Sequence, residues 1–436
     1  MSRIDDQDLD ELRLARRQKR KRAELTAYII LITICVVIFV AAGVFIHYIG
    51  ARITQKKTVE KQQEAAELQT AQEESAVIET PEESKEAVEY SEEDILREII
   101  EGVLAEETIE DKVAGLFIIT PEQLTGVETA VKAGSGTQEA LAQYAVGGIT
   151  YFPKNIKSTE QISEMLDTTS SMSKYPLFTV LSDQAGTSDA VRQMLGLDPE
   201  TAISDEKTAL EAADSFGAEL YKNGFNLCIA PSMEPVEGDS QEEGEDGQAD
   251  SGDIEGMALG FSRGLAESGV SSCPYVFPIG ADTLSGPSSN EISRDELVVG
   301  RYELFKKLID EGTCAAVMVS NVSFPSVTGG DTPASLSDIM ITDELRGTLG
   351  FDGVVITSPL NEKAITDSYT PAEAAEAAIK AGADMLYIPD DFAAAYEGIL
   401  ESVSAGHITE DRIDESLRRI YRIKYANSAD KITGVN

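Results

Sequence analysis

Eight short apolar runs, rich in β-branched and aromatic residues, recur along the chain after residue 95 and limit what it can fold into. They are LFIIT (116–120), GGITYF (147–152), LFTVLSD (177–183), FNLCIA (225–230), YVFPIG (275–280), AAVMVSN (315–321), GVVITSP (353–359) and MLYIPDD (385–391). Each is continuous rather than alternating, the pattern of a strand buried on both faces. Amphipathic helical sequence separates them: STEQISEMLDTTSSM, DEKTALEAADSFGAELYKNG, SRDELVVGRYELFKKLIDEG and PAEAAEAAIKAGA. Gly224, Gly312 and Gly382 stand where such helices stop. A last helix is predicted from Glu410 to about Tyr425. Eight strands alternating with helices predict a (β/α)₈ TIM-type barrel. An open doubly wound sheet is the alternative, but the segment after Thr120, PEQLTGVETA, has no GxGxxG phosphate turn.

A second feature precedes these runs. Residues 27–49, AYIILITICVVIFVAAGVFIHYI, contain no Asp, Glu, Lys or Arg, and about 20 apolar residues match the bilayer core. Arg16, Arg17, Lys19, Arg20, Lys21 and Arg22 stand just before it. That bias predicts a single-pass cell-membrane protein with residues 1–26 as a cytoplasmic basic tail and the rest extracytoplasmic. A cleaved signal peptide is the rival reading, but the run exceeds a signal h-region and no small-residue cleavage site follows. Residues 50–92, rich in Glu, Gln, Ala and Ser, predict an acidic stalk, either a solvated helix or an extended linker. A coiled coil lacks its apolar a/d repeat there. The barrel is then expected over 93–428, interrupted by an acidic loop at 237–255 with nine acids and no base. A calcium loop would need fixed ligand spacing that this segment lacks, so a solvated loop is expected.

Charge and rare residues narrow the chemistry. The net charge of −41, from 77 acidic and 36 basic residues, excludes nucleic acid as a partner, because phosphates need Lys and Arg. Of the four cysteines, Cys35 lies in the apolar span, and Cys228, Cys273 and Cys314 sit in or beside strands. Their spacing fits buried core thiols, not a disulfide framework or zinc site. No metal or other cofactor is implied. The two histidines are His47, at the span's edge, and His407, before the last helix. Neither lies at a strand end, so a Ser–His–Asp arrangement lacks its histidine.

In a barrel of this kind chemistry sits at the C-terminal strand ends. Asp183, Glu234, Asp282, Asn321, Ser358, Glu362 and Asp390 fall there, and Arg192 follows the third strand. Asp183, Arg192 and Asp282 are candidate substrate-binding residues for a polyhydroxylated ligand. Each competes with a structural role, since a strand-end Asp often caps the next helix.

These segments together resemble the catalytic barrel of glycoside hydrolase family 3, especially its β-N-acetylhexosaminidase branch, from about Asp111 to Tyr425. GGITYFPKNIKSTEQI resembles the family's second strand and following helix, and LFTVLSDQAG its strand ending in Asp-Gln-Glu-Gly-Gly. GFNLCIAPSMEPV and, most closely, TPASLSDIMITDELRGTLGFDGVV (332–355) resemble further family segments. The resemblance implies that Asp183 matches a substrate-binding Asp and Arg192 the Arg that follows it. The family's Lys-His-Phe-Pro-Gly-His-Gly-Asp-Thr reads YVFPIGADT here, so Asp282 is kept while the Lys and both His are absent. The loop GPSSNEIS lacks the acid/base His, the strand-six His is Asn321, and the nucleophile position is occupied by Ser358, followed by Pro359.

Retaining glycosidases need a carboxylate nucleophile and a second group that moves protons. The expectation is therefore a membrane-anchored pseudoenzyme with no catalytic residues, holding a cell-wall amino sugar or other glycan, or a protein partner. The alternative is an active β-N-acetylhexosaminidase-type glycosidase with relocated acids, Glu362 or Asp282.

Overall fold

The computed structural model describes residues 91–182, 203–233, 254–280 and 289–433, with side chains to residue 426. The expected membrane span 27–49, the stalk up to residue 90 and most of the acidic loop lie outside these residues. No helix among the described residues is long and apolar enough to cross a membrane.

Eight parallel strands form the core: β1 (Phe117–Ile119), β2 (Gly148–Tyr151), β3 (Phe178–Leu181), β4 (Leu227–Cys228), β5 (Ser271–Ser272), β6 (Ala316–Val319), β7 (Val354–Thr357) and β8 (Leu386–Tyr387). Six of them pair in the order β5-β4-β3-β2-β1-β8, and β6 pairs with β7. Hydrogen bonds join the two sheets at both seams. Thr357 N–H donates to Met385 O at 3.1 Å, and Asp384 N–H to Val355 O at 2.8 Å. At the other seam Phe277 N–H donates to Met318 O, and Ser320 N–H to Phe277 O, both at 2.8 Å. The chain thus builds the expected TIM-type α/β barrel. β1, β2, β3, β6 and β7 are buried at every position, which is why their sequences read as unbroken apolar runs.

The fifth strand departs from expectation. The regular ladder covers Ser271–Ser272, while 275–280 pairs only through isolated bridges, Ser232 with Tyr275 and Phe277 with Val319. Pro274 and Pro278 have no N–H to donate, so a regular ladder cannot run through them.

Helices clothe the ring: α1 (Glu92–Glu106), α2 (Thr159–Met172), α3 (Glu206–Lys222), α4 (Ile254–Glu267), α5 (Pro371–Ala381), α6 (Phe392–Ser404) and α7 (Glu410–Thr433). Ser158, Asp205 and Thr370 cap α2, α3 and α5, each accepting from a backbone N–H in the first turn. Two boundaries differ from the sequence reading. α4 begins at Ile254, taking Glu255 out of the acidic loop into an ion pair with Lys307. α7 runs eight residues past Tyr425, to Thr433. α3 and α4 pack backbone to backbone: a Cβ on Gly260 would lie 2.0 Å from Glu206 O, so only glycine fits.

The N-terminal end of the barrel is locked by a buried charge cluster. Asp384, fully buried before β8, accepts from Arg346 Nη2 at 2.7 Å, Arg419 Nη1 at 3.2 Å, Ser416 Oγ at 2.7 Å and Val355 N–H at 2.9 Å. These four hydrogen bonds, with the Arg412 guanidinium 3.9 Å away, are what make a buried carboxylate tolerable there.

Candidate functional site

The chain leaves β6 at Val319 and β7 at Thr357, and the residues that follow build the polar part of the barrel's C-terminal mouth. Asn321, nearly fully buried, makes three side-chain hydrogen bonds. Its Nδ2 donates to Pro359 O at 2.9 Å and to Glu362 Oε2 at 2.8 Å, and its Oδ1 accepts from Ser335 Oγ at 2.6 Å. An amide side chain can do this because it carries donors and an acceptor at fixed angles.

The loop carrying Ser358 and Glu362 is tied to both neighbouring strands. Ser358 N–H donates to Val319 O at 2.8 Å, Leu360 N–H to Tyr387 O at 2.9 Å and Asn361 N–H to Ile388 O at 3.1 Å. Ile388 holds φ at 44°, a conformation that β-branched residues avoid. It costs on the order of 1–3 kcal/mol and persists only where surroundings over-determine it, as clusters at ligand sites do. Here those surroundings include two backbone bonds, its N–H to Ile118 O at 2.9 Å and its O from Asn361.

Burial pushes the Glu362 carboxyl above the usual carboxylate range, and the Asn321 hydrogen bond opposes that rise. Among described residues near the mouth, this is the one carboxyl so displaced. The hydroxyl of Ser358, a residue 7% exposed, has no hydrogen-bond partner, and so no activating base, among the described residues. His407 lies in the turn between α6 and α7, at the opposite end of the barrel, with Nδ1 3.8 Å from Glu376 Oε1. Cys273 and Cys314 are buried thiols whose pKa values burial drives up, as expected of inert core cysteines. Among the described residues no cluster of His, Cys, Asp or Glu is arranged to hold a metal ion.

Of the residues predicted from sequence, Asp183, Arg192, Glu234 and Asp282 lie outside the described residues. Ser358, Asn321 and Glu362 are brought together on two adjacent strand ends. Two participants were not singled out from sequence. Ser335 orients Asn321 across 14 residues of chain. Arg301 lies on a π-helical turn, Val298–Tyr302, and donates to Pro278 O at 2.9 Å and Met233 O at 2.6 Å, fixing the ends of the fifth and fourth strands. Such π turns often mark functional sites, but no local sequence pattern announces them.

The comparisons with known proteins agree with this fold. The model of the glycosyl hydrolase family 3 N-terminal domain matches residues 108–423. A beta-hexosaminidase from Chromobacterium violaceum is 27% identical over 272 residues, covering 57% of this chain and 73% of that protein. One from Idiomarina loihiensis is 25% identical over 305 residues, covering 67% and 89%. Among solved structures, a glycoside hydrolase family 3 beta-N-acetylglucosaminidase from Paenibacillus sp. str. FPU-7 superposes with a TM-score of 0.63 at 28% identity. That match covers 74% of this chain, which spans only 63% of the Paenibacillus protein. A beta-N-acetylhexosaminidase from Beutenbergia cavernae shares the fold at 24% identity, with a TM-score of 0.59 over 73% and 99% of the two chains. The chain, with its closed parallel barrel and its strand-end loops, belongs to the glycosyl hydrolase family 3 N-terminal domain family.

Proposed function

We propose that this family 3 barrel takes N-acetylated hexosamine glycans at its C-terminal mouth and holds them without the family's covalent chemistry. The ligand class follows the relatives, which are named for β-hexosaminidase and β-N-acetylglucosaminidase activity. One observation carries the non-catalytic part. The residue after β7 where the resemblance calls for the nucleophilic carboxylate is Ser358, nearly buried and without a base among the described residues. A serine hydroxyl at neutral pH cannot take the anomeric carbon without losing its proton to such a base. In this reading the basic tail, the apolar span 27–49 and the stalk present the barrel outside the cell membrane.

A second reading is hydrolysis, and the comparisons support it more directly than the first. Its structural support is Glu362, a mouth carboxyl whose burial favours the protonated form. That is the property of a general acid. One assay separates the two. The full-length protein is incubated with a chromogenic β-N-acetylglucosaminide, and binding of chitotriose is measured in parallel. Binding without turnover is expected. Turnover abolished in Glu362→Gln overturns the non-catalytic reading. No binding and no turnover overturns the glycan reading. Protease treatment of intact cells tests the placement, with an inaccessible barrel as the result against it.

A further inference from the structure

Glu362 is fixed on one side only. Oε2 takes the Asn321 amide hydrogen bond at 2.8 Å, while Oε1 has no donor among the described residues. A structural account of this carboxylate is hard to build. It stands at the N-cap of the short helix Lys363–Thr366, yet its side chain makes no capping bond. It forms no ion pair with any described Lys or Arg; its one described side-chain partner is Asn321. Its described partners hold it in place. Asn321 is itself held by Ser335 Oγ and Pro359 O, and the loop from Pro359 to Glu362 is bonded to β8 through Leu360 and Asn361. The backbone it leans on includes Ile388, held at a φ of 44°. An aimed polar group with one open acceptor, on rigid strand ends, is the arrangement a binding site requires.

We propose that Glu362 Oε1 is the ligand-holding oxygen at this end of the mouth, accepting a hydrogen bond from a hydroxyl or amide N–H of the sugar, with Asn321 as its positioning residue. The inference rests on the glycan reading and adds a contact residue and a selectivity. Above the raised pH range at which burial lets it ionise, this carboxylate only accepts, so it favours sugars that present donors. It also repels sugars that carry a carboxylate of their own, because like charges in a partly desolvated site disfavour one another. Neutral N-acetylglucosamine oligomers are therefore preferred over otherwise similar oligomers bearing an acid group.

The test uses the full-length protein, with chitotriose and a chitotriose oxidised to carry carboxylates as probes, by calorimetry. Glu362→Gln keeps the size and can still accept from Asn321, but turns a donor toward the ligand. We expect at least tenfold weaker chitotriose binding, the loss of one charge-assisted hydrogen bond, and a smaller preference for the neutral probe. Asn321→Ala weakens binding several-fold, and combining it with Glu362→Gln adds little, because the two act as one unit. A purely structural role leaves the ratio between the two probes unchanged. If Glu362→Gln does not fold, Glu362→Asp keeps the charge, shortens the reach and is expected to give the same loss. Wild-type binding with unchanged affinity and selectivity in these variants overturns this inference and leaves the glycan reading standing. Absence of any chitotriose binding by the wild type overturns the glycan reading itself.

Discussion

Asn321 Nδ2 lies 2.8 Å from Glu362 Oε2, and this bond ties the end of β6 to the loop that follows β7. Asn321→Ala removes it together with the bonds to Pro359 O and Ser335 Oγ. The partners left behind are partly buried, so each unsatisfied group costs about 1–3 kcal/mol, less whatever water recovers. We expect a destabilisation of about 3 kcal/mol in urea unfolding, with an unchanged m-value. A change under about 0.5 kcal/mol, the range of ordinary surface substitutions, would show that water replaces the amide at no cost.

This pair also marks where sequence reasoning stops. Asn321 and Glu362 were each visible as strand-end polar residues, but they are separated by 41 positions, and nothing local records that their side chains meet. The same holds for Asp384 and its arginines. Nothing local marks Arg346, Arg412 and Arg419 before the fold gathers them around one buried carboxylate. By contrast, the barrel was legible because two-sided burial leaves apolar runs, and helix stops were legible because Gly224, Gly312 and Gly382 take a positive φ there. The fifth strand was misplaced because YVFPIG has β-like composition while Pro274 before it and Pro278 within it prevent a ladder.

Ser358→Asp places a carboxylate at the position where the resemblance calls for a nucleophile. The hydrogen bond from Ser358 N–H to Val319 O fixes the backbone independently of the side chain. With 2,4-dinitrophenyl β-N-acetylglucosaminide, the leaving group departs without protonation, so an acid/base histidine is dispensable for the first step. We expect a burst of dinitrophenolate, close to one equivalent per protein, and a glycosyl adduct in intact mass, against none for the wild type. A wild type that turns this substrate over as fast as the variant contradicts the holding role.

Asp384→Asn tests whether the opposite end of the barrel serves stability alone. Asp384 is 0% exposed and neutralises the guanidinium groups around it. Its loss leaves Arg346 without its described ion-pair partner and Arg419 with only the exposed Asp352, at about 3–5 kcal/mol. Thermal unfolding should report that loss, while the folded fraction binds chitotriose with wild-type affinity, because the cluster lies at the strand starts rather than the mouth. A change in affinity at full folding would show that the two ends are coupled.

Lys424 gives a pH-dependent prediction. It is buried on α7, with Nζ 4.9 Å from the Phe178 ring and 5.6 Å from the Tyr421 ring. Burial pushes its pKa down to about 7, against the opposing pull of the Glu107 carboxyl. The folded state therefore binds this proton more weakly than the unfolded chain. The group's contribution is most favourable above its ordinary value near 10.5 and is lost as pH falls toward 7. Glu107, raised chiefly by burial and hydrogen-bonded by Tyr421, has the opposite slope: its contribution is present below the ordinary carboxylate pKa and is lost as pH rises. Lys424→Met removes the first dependence and keeps most of the packing. The variant should gain stability over the wild type at pH 6, and that gain should exceed the gain at pH 9 by about 2 kcal/mol. Urea unfolding at the two pH values measures the difference. Equal gains at both would mean that Lys424 stays charged in the fold, held by its aromatic neighbours and Glu107.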